Sequence, residues 1–433
     1  MNYLDILKTL YHKRPMSHIK PGLERISLLL SKLGDPHRKY QVFHVGGTNG
    51  KGSVTNMIAS VLIAQGYRVG SYYSPHLYTF RERIRLNERH ISEEEVEEIY
   101  KEMSPILEEL DKDEIFSPSF FEVVTAMAFL YFERMNVEIA VVEVGLGGRL
   151  DATNVVTPLV STIVTVDRDH EKILGNTIEQ IAWEKAGIIK DGRPVVTVER
   201  KTEALKVLKD VAKKRGSKMF VLDEDFFVEN EAYALNHNTF DYLGEKTLRK
   251  LVLTLNGPHQ VRNAAAALKA LEASKLDLSE RAIREGLVNA KNPGRFEVFE
   301  QNGKNIILDG AHNPHGARSL ADSVRTYLPN RELGAVIGIL DDKDRMGILE
   351  AYRGFFKKVF VTRVPSSRMK NFEDLVSMAK ANFEEVEAVE NPLEALERSL
   401  EQFDTVLVTG SLFLVGYIRE YLVEGRIGEE WNL

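Results

Sequence analysis

Short apolar runs alternate with longer amphipathic stretches along most of the chain. Residues 40–45, 68–73, 138–144 and 161–166 are rich in β-branched and aromatic side chains and read as strands of a buried sheet. Helical periodicity lies between them: at 54–65, at 91–110 behind Ser92-Glu93-Glu94-Glu95, and at 121–135. This β-α-β rhythm predicts a parallel sheet with helices on both faces. A helical stretch at 279–290 runs into Asn292-Pro293-Gly294-Arg295, a break after which the alternation restarts. Strands are expected there at 305–308, 335–340, 359–362 and 405–409, with helices between. The pattern predicts an α/β protein: a larger parallel-sheet domain over 1–292 and a smaller, doubly wound domain over 293–433. Residues 195–255 read as an irregular β-rich insertion.

The first strand runs into Gly46-Gly47-Thr48-Asn49-Gly50-Lys51-Gly52-Ser53, and a helix follows. Strand, glycine turn and helix make an anion site. Backbone N–H groups face phosphates, the helix N-terminus adds positive potential, and a lysine neutralises charge. The loop departs from the usual G-x-x-x-x-G-K-[ST] pattern: three residues separate Gly46 from Gly50, and Gly52 stands between Lys51 and Ser53. A merely flexible Gly/Asn turn would need neither the lysine nor the hydroxyl. The first unit is therefore expected to be a P-loop domain that handles a nucleoside triphosphate, and the second a Rossmann-like one.

In an open parallel sheet, ligands bind beyond the C-terminal strand ends. Ser74 follows the second strand. Glu143 ends the third, ahead of the turn Gly145-Leu146-Gly147-Gly148-Arg149-Leu150-Asp151, and Asp169-His170 follow the fourth. Ser and Glu oxygens suit Mg²⁺ that bridges phosphates; histidine is a less common magnesium ligand. Plainer readings stand beside these. Glu143 could pair with Arg149. Asp169-His170 could cap the next helix. Lys185 could be a dipole-favoured lysine in a last helical turn, and Asp309 and His312 could belong to an ordinary turn.

A chain of 433 residues suits two or three domains. A net charge of -7 argues against a general nucleic-acid binder. With no cysteine, disulfides, thiolate metal sites and a thiol nucleophile are excluded. The first five residues lack the layout of a signal peptide, and no apolar run is long enough to cross a bilayer. The expectation is a cytoplasmic protein without nucleic-acid or membrane partners.

The motifs together resemble the folylpolyglutamate synthase and dihydrofolate synthase family of Mur-type ADP-forming amide ligases. The matching stretches include Gly22-Leu23-Glu24-Arg25-Ile26, 44–53, Ser74-Pro75-His76-Leu77, Arg81-Glu82-Arg83-Ile84, 143–154, Asp169-His170, Glu184-Lys185-Ala186-Gly187, His259-Gln260 with Asn263, Pro293-Gly294-Arg295 and 308–316. The resemblance implies ATP-dependent joining of L-glutamate to a folate or dihydropteroate carboxylate through an acyl phosphate. It implies a nucleotide site of Gly47, Thr48, Asn49, Gly50, Lys51, Gly52, Ser53, Asn263, Arg295 and Asp309. It implies one Mg²⁺ on Ser74 and Glu143, a second on Glu143 and His170, and a carbamylated Lys185 serving the metal site. His312 matches a position near the phosphates and incoming glutamate; Phe121, Asp151 and Ala152 match the pterin side. Bifunctional members commonly carry an acidic residue where this chain has His18-Ile19-Lys20-Pro21, which tilts the reading towards polyglutamylation alone. A monomer is expected. A cell-wall ligase acting on a UDP-linked peptide, or a P-loop switch without ligation, are the alternatives.

Overall fold

The computed structural model describes residues 1–15, 21–329 and 331–433. The expected strands form as β1 (Gln41–Gly46), β2 (Val69–Tyr72), β5 (Ile139–Glu143) and β6 (Val160–Ile163), with β3 (Ile84–Leu86), β4 (Arg89–His90), β7 (Val195–Thr197) and β8 (Met219–Val221) completing one sheet. Its order is β4-β3-β2-β5-β1-β6-β7-β8. From β2 to β8 all pairings are parallel, whereas β3 and β4 add an antiparallel edge. The edge is masked in the sequence by charge: Arg85 sits in a buried strand because its guanidinium lies 4.4 Å from the ring centre of Tyr73.

The region 195–255 is only half irregular. β7, the helix Thr202–Lys214 and β8 continue the large sheet. Then β9 (Phe227–Ala232), β10 (Asn238–Leu243) and β11 (Thr247–Leu253) form a separate antiparallel meander. The helix Lys51–Gln65 is buried on nearly every side, packed between the large sheet and the helices Pro258–Ala273 and Glu280–Asn289. That explains why it lacks an amphipathic stripe.

The second sheet holds β12 (Glu297–Gln301), β13 (Lys304–Asp309), β14 (Gly334–Ile337), β15 (Lys358–Val361), β16 (Val386–Ala388) and β17 (Thr405–Thr409). Its order is β12-β13-β17-β14-β15-β16, parallel except for β12 at the edge. The molecule is thus mixed α/β, with one large parallel-dominated sheet and a second, smaller one. The C-terminal ends of β1, β2, β5 and β6 bring the glycine loop, Ser74, Glu143 and residues 165–170 to one rim, and the end of β13 presents Asp309 to His312 opposite. Among the described residues, no helix is long and apolar enough to cross a membrane.

Candidate active site

One cavity of about 910 Å³ lies between the two sheets' rims. Thr48 to Ser53, Ser74, Phe121, Glu143, Asp151, Ala152, His170, Asn263, Arg295, Asp309 and His312 all line it. Of the residues expected at the site, Gly47 and Lys185 do not reach its wall.

The glycine loop is held from one side. The Thr48 N–H donates to the Thr165 carbonyl at 2.7 Å. The Thr48 hydroxyl donates to the Asp167 carbonyl and accepts the Asp167 N–H, at 3.2 and 2.9 Å. Thr48 is thus spent on holding the loop, and the Asn49 N–H is taken by Thr165 Oγ1 at 3.1 Å, which leaves the first-turn N–H groups of the helix Lys51–Gln65 for an anion. Lys51 curls back, donating to the Gly47 and Thr48 carbonyls at 3.1 and 3.2 Å. Asn263 packs on the loop: a Cβ on Gly50, which has φ +85°, would lie 2.8 Å from its Oδ1.

Glu143 and Ser74 form a buried oxygen pair. The Ser74 N–H donates to Glu143 Oε2 at 3.3 Å. Burial pushes the Glu143 carboxyl up to about 7, against the pull of Lys51. A Cβ on Gly52 would lie 3.8 Å from Glu143 Oε2, so the carboxylate faces the glycine loop. Arg149 is not its partner; that side chain pairs with Glu184 at 2.9 Å and lies 4.5 Å from the Trp183 ring centre.

The two serine hydroxyls differ. Ser53 Oγ accepts from Asn292 Nδ2 at 2.7 Å, whereas Ser74 Oγ is buried with no hydrogen-bond partner. A desolvated carboxylate beside an unpartnered hydroxyl is a donor set that suits Mg²⁺. Among the described residues, no three His, Asp or Glu side chains cluster as a metal cage. His170 starts the helix Glu171–Leu174 in a left-handed conformation, φ 49°, without capping it through its side chain. Its ring is half exposed, with Nε2 3.7 Å from Asp169 Oδ1.

Lys185 occupies the last turn of the helix Ile178–Ala186, yet is buried. Burial, and then the charge of Lys51, push its ammonium down to about 7, while Asp169 and Asp151 oppose the shift. It therefore stands behind the wall, within electrostatic reach of groups on it. A lysine placed only for the helix dipole would sit in water.

From the opposite rim, Asp309 accepts the Phe296 and Ala311 N–H groups, both at 2.9 Å; burial raises its carboxyl and Arg295 opposes this. The His312 Nδ1–H donates to the Gly310 carbonyl at 2.8 Å, which leaves Nε2 as an acceptor. Burial holds the ring down near 4 and hence neutral at physiological pH. Phe121 lies against Gly145, where a Cβ would come within 2.4 Å of its ring. Asp151 is occupied within its own turn, accepting the Leu146 and Thr153 N–H groups at 2.8 and 3.0 Å. His18, Ile19 and Lys20 lie outside the described residues.

Two contacts at the site were not read from the sequence. Asn292, taken only as part of a domain break, holds Ser53. His315 bridges the rims: Nδ1 is 3.0 Å from Asn49 Nδ2, and Nε2 is 3.0 Å from Asp167 Oδ2. The only signal for it was its place three residues after His312 at a helix start.

A P-loop unit that faces a second α/β unit across one cavity defines a two-lobed, ADP-forming ligase of an acid with an amino acid. Residues 45–271 match the Mur ligase middle domain, and residues 294–412 match the Mur ligase glutamate ligase domain. The chain belongs to the Mur ligase family, in its folylpolyglutamate synthase/dihydrofolate synthase branch. It is 37% identical over 418 residues to a dihydrofolate synthase/folylpolyglutamate synthase of Bacillus subtilis, covering 95% of this chain and 97% of that one. Among solved structures it is similar to folylpolyglutamate synthase from Thermotoga maritima, with TM-score 0.94, 64% identity and coverage of 100% and 99%. It is also similar to the Mycobacterium tuberculosis enzyme complexed with ADP and AMPPCP, with TM-score 0.89, 34% identity and 98% coverage of both chains.

Proposed function

We propose that this chain joins L-glutamate to a folate, cleaving ATP to ADP and phosphate. The observation that carries this reading is the convergence of the glycine loop, the Ser74–Glu143 pair and Asp309 to His312 on one cavity. A carboxylate is a poor electrophile. Its attack on the γ-phosphorus releases ADP and leaves an acyl phosphate, and the glutamate amine then displaces phosphate. The protein's share is positioning, charge neutralisation and exclusion of water.

The loop Gly47 to Ser53 presents its free backbone donors and the Lys51 cation to the triphosphate; Asn263 flanks the loop on the same lobe, and Arg295 and Asp309 hold the nucleotide from the other. Ser74 and Glu143 would hold one Mg²⁺, and Glu143 with His170 a second; ions held there would supply charge neutralisation to the phosphates. The neutral His312 ring, with Nδ1–H engaged by Gly310, accepts a hydrogen bond at Nε2 from the incoming amine. Phe121 and Ala152 face the acceptor, and Asp151 shapes the turn beside them. In this reading residues 1–292 work as the nucleotide-binding unit and 293–433 as the glutamate-ligase unit, in a cytoplasmic monomer. The name of the Bacillus subtilis relative supports dihydropteroate as a second acceptor.

A lysine near pKa 7 is about half amine at neutral pH and can take up carbon dioxide. The carbamate turns a cation into an oxygen-rich anion, and the reading assigns this to Lys185. Lys185→Ala is expected to lower turnover about 100-fold. Its melting temperature should fall far less than its turnover, because relief of the desolvated amine offsets part of the cavity left by three buried methylenes. ¹³C-labelled bicarbonate should give a carbamate resonance in the wild type alone. A near-wild-type rate for the variant would contradict the assignment.

The reading is tested with ATP, tetrahydrofolate or dihydropteroate, and glutamate, followed by mass spectrometry. The expected products are ADP, phosphate and an acceptor longer by one glutamate. Acceptor-independent ADP release, or none, would overturn it.

A further inference from the structure

Residues 428–432 leave the second sheet's lobe and reach the first. The helix Leu412–Glu424 packs on β13 and β17, and the short turn Glu429–Asn432 follows it. Trp431 fixes that turn to its own lobe, donating Nε1–H to Glu420 at 2.5 Å and standing edge-on to Tyr417 at 5.3 Å. Glu430, one residue earlier, faces the other way. Its carboxylate accepts three hydrogen bonds from the first lobe: the Tyr3 hydroxyl at 2.8 Å, the Thr79 hydroxyl at 2.7 Å and the Phe80 N–H at 2.8 Å.

The segment it grips builds the cavity. Ser74 opens this loop, and Leu77, Glu82 and Arg83 line the cavity wall. Glu82 folds the loop by accepting the Leu77, Tyr78 and Thr79 N–H groups at 3.0, 3.0 and 3.1 Å. The far side of the loop is docked on the second lobe. The Leu77 carbonyl lies where a Cβ on Gly416 would come within 2.3 Å, and Arg419, paired with Glu297 at 2.8 Å, stands 5.7 Å from the Tyr78 ring centre. One face of the loop thus belongs to the cavity and the other to a seam between lobes, with Glu430 at the end of that seam.

We infer that Glu430 is a positioning residue for ligation: by tying the second lobe to Thr79 and Phe80, it sets the wall formed by Leu77, Glu82 and Arg83, and Arg83, 5.5 Å from the Phe120 ring centre, carries that to the acceptor end beside Phe121. The inference rests on the ligase reading only for its kinetic arm. Three donors spent on one carboxylate make a directional tie between lobes, which apolar packing alone would not supply. The hydrogen bonds of Glu430 and Trp431 go to Tyr3, Thr79, Phe80 and Glu420 rather than to the glycine loop, so nucleotide affinity should be far less sensitive to the tie than acceptor affinity.

Wild type, Glu430→Ala and Glu430→Gln are compared. In the ligand-free protein, hydrogen exchange at the Phe80 amide should be at least about tenfold faster in Glu430→Ala. KM for tetrahydrofolate should rise about tenfold while KM for ATP stays within about twofold. Glu430→Gln, which keeps one acceptor oxygen, should recover most of both losses. Should Glu430→Ala not fold, Thr79→Val removes one donor and should shift KM for tetrahydrofolate about threefold in the same direction. A lower melting temperature with both KM values unchanged, or both raised together, would overturn the inference. An inactive wild type would instead sink the ligase reading, and the exchange measurement would still decide whether the tie exists.

Discussion

Lys51→Ala is expected to lower kcat/KM for ATP by about 10²- to 10³-fold, the usual loss when a preorganised charge at a developing anion is removed. Lys51 opens the helix Lys51–Gln65 and bonds only carbonyls of its own loop, Gly47 and Thr48. It is thus available to a triphosphate without breaking a hydrogen bond to another element. For the same reason its loss should change stability by no more than about 1 kcal/mol. Steady-state ADP release and a thermal melt check the two halves together. Unchanged ATP turnover would remove the glycine loop from the chemistry.

Glu143→Gln should separate activity from stability. Turnover should drop about 10²- to 10³-fold, because a neutral amide is a poor magnesium ligand. The metal-free variant, however, should be more stable than wild type above pH 7. The folded-state carboxyl is raised to about 7 by burial, above its unfolded value. Between pH 4.5 and 7 the folded state therefore binds the proton more tightly, and stability falls as pH rises through that window. Above it the buried carboxylate costs roughly 3 kcal/mol, which glutamine avoids while still accepting the Ser74 N–H. Thermal melts at pH 5 and pH 8 should show the advantage at pH 8 only. Equal melting at both would mean that Glu143 is not strained by burial.

Much of this site was legible because local chemistry at strand ends is written locally. A glycine loop between a strand and a helix, or a lone glutamate closing an apolar strand, needs no partner to be recognised. Pairings were harder. By sequence Glu143 could pair with Arg149, but Arg149 turns to Glu184 and Trp183, a choice set by the helix Ile178–Ala186. Sequence pattern does not decide between the two serines as a magnesium ligand; Ser53 Oγ is engaged by Asn292 and the buried Ser74 Oγ has no hydrogen-bond partner, which favours Ser74. β3 and β4 are hidden in the sequence because they are short and carry Arg85, Arg89 and His90; the buried Arg85 is satisfied locally, by the Glu82 carbonyl and the Glu88 carboxylate. The tie from Glu430 to Tyr3 spans 427 positions and leaves no periodic trace at either end.

The central claim is that the acceptor carboxylate takes the γ-phosphoryl group before the amine arrives. Its most direct test uses tetrahydrofolate carrying ¹⁸O in the reacting carboxylate, with unlabelled ATP and glutamate. If an acyl phosphate forms in the cavity above Lys51, each phosphate released carries one ¹⁸O atom from the acid. Phosphate free of label, with amide product still formed, would contradict the account.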